Sequence, residues 1–170
     1  MAHRPSNRRR NQWVAALLDV QPTDRVLEIG FGPGLAIAEL SRSAAHVYGV
    51  DRSDVMLRQA TRRNAAAIRA GRVTLAVGTV EDLPPALQGP FDTILAVNSL
   101  GFWTAPVERL GELRGRLTPG GRIAIVSQSR AGYSTTNITD LLERAGFAQA
   151  RTEILDLDPP ATCVLASARP

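Results

Sequence analysis

Lysine is absent from this chain of 170 residues, and all 20 of its basic residues are arginine. That excludes a G-x-x-x-x-G-K-S/T phosphate loop, which needs a lysine to reach the outer phosphates of a nucleotide. The arginine bias itself fits a GC-rich coding sequence and carries no function. Cysteine is nearly absent too: Cys163 stands alone, so no internal disulfide can form. No apolar run approaches the roughly 20 residues of a membrane-spanning helix, and none follows a charged leader as in a signal peptide. A soluble, cytoplasmic protein is the expectation. The length suits one domain, able to bury about 70% of its unfolded surface without a disulfide or a metal.

Charge is unevenly placed. Arg4, Arg8, Arg9 and Arg10 fall within the first ten residues, and the remainder carries acids and bases in equal number. The formal net charge of +4 thus belongs to the N-terminus alone. Residues 1–10 read as a basic, flexible tail, and residues 11–170 as a single domain. Such a tail can contact nucleic acid or an anionic membrane. Beside Pro5, Ser6 and Asn7 it reads first as a solvated arm.

What the chain does have is Val26-Leu27-Glu28-Ile29-Gly30-Phe31-Gly32-Pro33-Gly34, a short apolar run followed by three alternating glycines. The run is what a strand buried on both faces uses, and the glycines let a ligand approach bare peptide groups. Ile37, Leu40 and Ala44 then recur at helical spacing, giving strand, glycine loop and helix. A second strand, Val47-Tyr48-Gly49-Val50-Asp51, ends in a carboxylate. In a βαβ unit that acid meets the ribose of a nucleoside, because parallel strands end on one edge of the sheet; otherwise Asp51 is an exposed strand-end residue.

The other elements follow the same alternation. Trp13, Val14, Leu17 and Leu18 mark a helix from Asn11 to the Gln21-Pro22 stop, with Trp13 as core or lid. Ser53 caps a helix running to about Ala70, stopped by Gly71, with Arg58, Arg62 and Arg69 on its solvated face. Strands are expected at residues 73–77, 91–97 and 122–126, the last entered by the turn Thr118-Pro119-Gly120-Gly121. Asn98 and Ser99 leave the fourth strand on the same edge as the glycine loop and should border the reaction space, and a polar loop is expected from Gly78 to Pro85. Helices follow from Val107 to Leu117 and from Ile138 to Ala145. Two strands near residues 150–157 and 162–168 should pair as an antiparallel hairpin.

These elements give an α/β, doubly wound sheet covered on both faces. Leu35 stands where the dinucleotide fingerprint G-x-G-x-x-G needs its third glycine, which argues against NAD. Glu28-x-Gly30-x-Gly32-x-Gly34, Asp51, the acidic loop from Gly78, Phe91-Asp92 with its strand, and Leu117-Thr118-Pro119-Gly120-Gly121 together resemble the ordered motifs of class I S-adenosylmethionine-dependent methyltransferases. The likeness is closest to the small-molecule group that includes ubiquinone and menaquinone biosynthesis enzymes, and it spans roughly residues 13–168. It implies a Rossmann-like sheet of seven strands, mostly parallel, with the last strand antiparallel.

The resemblance also implies a cofactor, S-adenosyl-L-methionine, and residues to hold it. Gly30, Phe31, Gly32 and Gly34 would wrap the methionyl part with Glu28 supporting the loop, and Asp51 would bind the ribose. Arg52 and Met56 would pack near adenine, Thr79, Val80 and Glu81 would meet its edge, and Asn98 would approach the methionyl amine. Relatives usually carry an acid where Thr79 stands. No catalytic residue is assigned. Asn98, Ser99, Trp103 and Tyr133 are candidate substrate contacts, whereas His46, at the start of its strand, points away from the reacting edge.

Asn98-Ser99-Leu100-Gly101 lacks the Pro-Pro-aromatic continuation of adenine and glutamine amino-group enzymes. Cys163 lies in a terminal strand, a poor match to a cytosine C5 nucleophile, and no acidic cluster is spaced for magnesium. What remains is O-, N- or C-methylation of a small molecule. The alternatives are an RNA or protein methyltransferase using the arginine tail, and a non-catalytic protein that binds the cofactor. The N-terminal helix, the Phe102-Trp103 loop or the second subunit of a dimer would close the site.

Overall fold

The computed structural model describes residues 5–128 and 135–169. Its centre is β1 (Arg25–Ile29), in which every residue after Arg25 is buried. On one side lie β2 (His46–Asp51) and β3 (Val73–Val77); on the other, β4 (Phe91–Val97), β5 (Leu117–Ser127), β6 (Ala148–Leu155) and β7 (Ala161–Ser167). The sheet order is β3-β2-β1-β4-β5-β7-β6. β7 runs antiparallel to both β5 and β6, as the expected hairpin requires, and the other pairings are parallel.

Alternation along the strands divides the core in two. Leu27, Ile29, Ile94 and Ile123 face α5 (Pro106–Gly115) and α6 (Thr135–Arg144), meeting Leu110, Leu113, Ile138 and Leu142. Val26, Val47, Leu95 and Ala124 face the other way, meeting Val14 and Leu18 of α1 (Pro5–Leu18) and Ile37 and Leu40 of α2 (Leu35–Leu40). Strand order reverses between β1 and β4, so their C-terminal ends diverge into a crevice. In open α/β sheets that is where ligands bind.

Three local expectations need correction. Residues 5–10 form the first turns of α1, which starts at Pro5 rather than Asn11. Arg10 Nη1 donates to Gln128 Oε1 at 2.7 Å, fixing that part of the helix to the residue that follows β5. The helix expected from Ser53 to Ala70 is two helices, α3 (Asp54–Arg63) and α4 (Ala65–Arg69), although Ser53 caps it as expected through Met56 N. β5 begins before the turn at residues 118–121: Leu117 already pairs with Phe91, and regular register resumes only at Arg122 opposite Thr93.

The break at Asn64 has a tertiary cause. Its buried amide donates to Gly34 O at 3.1 Å and to Ala60 O at 2.9 Å, so α3 is fastened to the end of the glycine loop. Replacing Asn64 with Ala removes this tie but leaves the Gly34 carbonyl the Ala38 N–H as a donor. A loss of about 0.5 to 1.5 kcal/mol, the net worth of a hydrogen bond, is expected, seen as a lower urea midpoint with an unchanged m-value.

Candidate functional site

The loop after β1 is shaped by what surrounds it. Gly30 N donates to Val50 O at 2.7 Å, and Gly34 N donates to Phe31 O at 3.0 Å. Asp51 clamps the loop from β2: its Oδ2 accepts from Gly32 N at 2.8 Å and its Oδ1 from Ser53 N at 2.9 Å. From β4, Ser99 Oγ donates to Ile29 O at 3.0 Å.

The three glycines do different things. A Cβ on Gly30 would stand 2.8 Å from that of Ser99, and one on Gly34 would stand 2.8 Å from that of Ala60. Both are required for close packing at positive φ. Only at Gly32 would a Cβ point into open space.

Two cavities flank Gly30 and Asn98. The first, about 210 Å³, lies across the ends of β1, β2 and β4. Of the residues singled out from the sequence, Asp51, Arg52, Thr79, Val80, Glu81, Ser99 and Trp103 line it. At its mouth the Arg52 guanidinium sits 4.7 Å from the ring centre of Phe102, whose side is largely exposed. The second, about 120 Å³, is lined by Glu28, Phe31 and Gly32, and by Asn7, Arg10 and Asn11 of α1.

Two of the expected residues line neither cavity. Gly34 is turned against α3, and Met56 packs among the partly buried residues of the second core. Tyr133 lies outside the described residues. Asn7, Arg10 and Asn11 were missed because the basic stretch reads as a solvated arm. The available signal was the spacing Asn7, Asn11, Val14, Leu18, which puts two asparagines on the apolar face of one helix.

Charge in the site is strained by burial. Desolvation pushes the Glu28 carboxyl well above the usual carboxylate range; Arg10 opposes this, Asp51 adds to it, and the Ile37 N–H opposes it. Among the described residues its Oε2 has no hydrogen-bond partner, and neither does the buried Nε of Arg10. Burial alone would raise Glu81, but hydrogen bonds from Thr104 N–H, its own backbone and the Thr79 hydroxyl prevail and lower it. Elsewhere, His46 Nε2 lies 2.8 Å from Thr74 Oγ1 at the far edge of the sheet. Burial pushes the Cys163 thiol up to about 12. Among the described residues, no group of three or more His, Cys, Asp or Glu side chains could hold a metal ion, and no helix is long and apolar enough to cross a membrane.

A family model described as a methyltransferase domain matches residues 26–121, more than half of the chain. The chain belongs to the class I S-adenosylmethionine-dependent methyltransferases. The uncharacterised methyltransferase YdaC of Bacillus subtilis is 31% identical over 157 residues, covering 89% of this chain and 83% of that protein. A protein-L-isoaspartate O-methyltransferase of Salinibacter ruber is 35% identical over 131 residues, covering 74% of this chain but only 54% of its own. Among solved structures, the magnesium protoporphyrin IX methyltransferase of Synechocystis, with its cofactor bound, superposes with a TM-score of 0.78 at 21% identity, covering 96% of this chain and 80% of that one.

The residues of this methyltransferase fit such a cofactor. Glu28 Oε2 is a buried acceptor without a partner beside the second cavity, and Gly32 leaves bare backbone beneath open space. Asp51 keeps acceptor positions beyond the two backbone bonds it already makes, since a carboxylate offers about four.

Glu28 also makes a stability prediction. Its pKa is higher folded than unfolded, so the native state binds more protons above pH 4.5, the ordinary glutamate value. Stability therefore falls as pH rises through the folded pKa. Glu28→Gln should abolish this decline, and its Tm advantage over wild type should widen from pH 5 to pH 8 in scanning calorimetry.

Proposed function

We propose that this methyltransferase moves a methyl group from S-adenosylmethionine to an O, N or C atom of a small molecule by in-line displacement. The observation that carries the reading is the pair of cavities on either side of Gly30 and Asn98. The larger one offers Asp51 to ribose hydroxyls and Arg52, Thr79, Val80 and Glu81 to an adenine. The smaller one offers Glu28 to an amino-acid group, and Asn98 stands where the two meet.

The bound sulfonium would supply an already activated methyl group. Holding the nucleophile in line with it is then the main task, and positioning alone can contribute ~7 to 11 kcal/mol. Neither His46 nor Cys163 is placed to act as a general base. His46 is remote, and Cys163 is buried and stays a neutral thiol.

The isoaspartate and protoporphyrin enzymes act on different acceptors with related domains, so the acceptor class rests on this chain's own site. In favour of a small molecule, Arg10 is turned inward onto Gln128 and the second cavity rather than outward as part of an electrostatic arm.

Asp51→Ala removes both the loop clamp and the ribose acceptor. Its affinity for S-adenosylhomocysteine should drop about tenfold to hundredfold by calorimetry, the worth of a charge-assisted hydrogen bond. Unchanged binding would overturn the ribose assignment. Screening with labelled methyl donor should find a small-molecule acceptor. Label entering RNA or protein alone would reverse the acceptor class.

A further inference from the structure

β6 is an edge strand, so the backbone groups on its outer side have no neighbour in the sheet. A bulge between Ala148 and Arg151, with Gln149 at φ 54°, ends its regular run and leaves residues 150–155 to present that edge. Ile154 on this run is 67% exposed, more than any other large aliphatic side chain among the described residues. Edge strands are often guarded against pairing by proline; β6 has none. Arg151 and Glu153, beside Leu165 and Cys163 of β7, lie on the face away from Ile154, and among the described residues neither has an ion-pair partner.

The order of these residues is complementary to itself. With a two-fold axis between two copies of Thr152, antiparallel strands set Arg151 opposite the partner's Glu153, Glu153 opposite the partner's Arg151, and Ile154 opposite the partner's Ala150. Side chains so opposed stand ~4.5 to 5.5 Å apart at Cβ, where opposite charges attract and like charges destabilise. A slip that keeps each side chain on its face moves the axis to Arg151 or to Glu153, and sets a charge against its own kind.

We infer that the protein forms a two-fold dimer by antiparallel pairing of β6 with β6 of a second copy, centred on Thr152, which joins two seven-stranded sheets into one. β6 runs in the same direction as β1, so the axis turns the partner's ligand-binding edge the opposite way. This partner therefore leaves the crevice open.

The test is sedimentation of the full chain over a concentration series. Wild-type protein should pass from the 18.3 kDa monomer to twice that mass as concentration rises, because a short strand pair is a small interface. Arg151→Glu and Glu153→Arg each place like charges opposite one another twice, and should weaken self-association roughly tenfold or more. An equimolar mixture of the two should recover the dimer, since every facing pair is then of opposite sign. Thermal unfolding followed by circular dichroism shows whether each variant is folded. If one is not, the chain carrying both exchanges, R151E with E153R, takes the place of the mixture and should dimerise as wild type does. A wild type of monomer mass at every concentration overturns the inference. So do single variants that associate as well as wild type, or a mixture of folded variants, or a folded double exchange, that stays monomeric.

Discussion

One carboxylate holds the functional end of the sheet in shape. Asp51 ends β2, takes Gly32 N–H with one oxygen and Ser53 N–H with the other, and so ties the glycine loop to the start of α3. Phe31 anchors the loop in the core, but its three glycines bury no side chain and lose much conformational freedom on ordering. Its order is borrowed from neighbours: Asp51 on one side, Ser99 on another, and Asn64 at its exit. The cavities exist where those three contacts stop.

Glu28 runs against that economy. An acid buried between sheet and helix with an unpartnered oxygen costs stability, since burial disfavours its charged form. Arg10 shares the cavity without satisfying that oxygen. Such local conflicts concentrate at functional sites, where the missing partner is a ligand rather than a residue. The second cavity thus bears a mark of function that volume alone would not give, for it is the smaller of the two.

Much of this was legible in the order of residues. Val26, Leu27 and Ile29 put apolar side chains on both faces of a short strand, so the run reads as a buried strand whatever its surroundings. Asp51 followed from parallel strands ending on one edge. The lapses share a physical origin, which is that tertiary neighbours are invisible to spacing. Gly34 has the look of a ligand-facing glycine, yet Ala60 and Asn64 crowd it. Helix α1 conceals its first turns because its inward face there is built from Asn7, Arg10 and Asn11, polar residues that ordinarily mark solvent.

Gln128 gathers segments that are far apart in the chain. Its backbone N–H meets Asn98 at the end of β4, its Oε1 takes Arg10 from α1, and its Nε2 donates to Pro159 O in the β6–β7 connection. β5 meanwhile lies against β7, and β7 is made after β6 although it lies between β5 and β6. On a ribosome, the outer edge of β5 therefore stays unpaired until residues 161–167 emerge. The nascent chain carries its glycine loop early but completes the anchorage of Gln128 only after the β6–β7 connection has emerged.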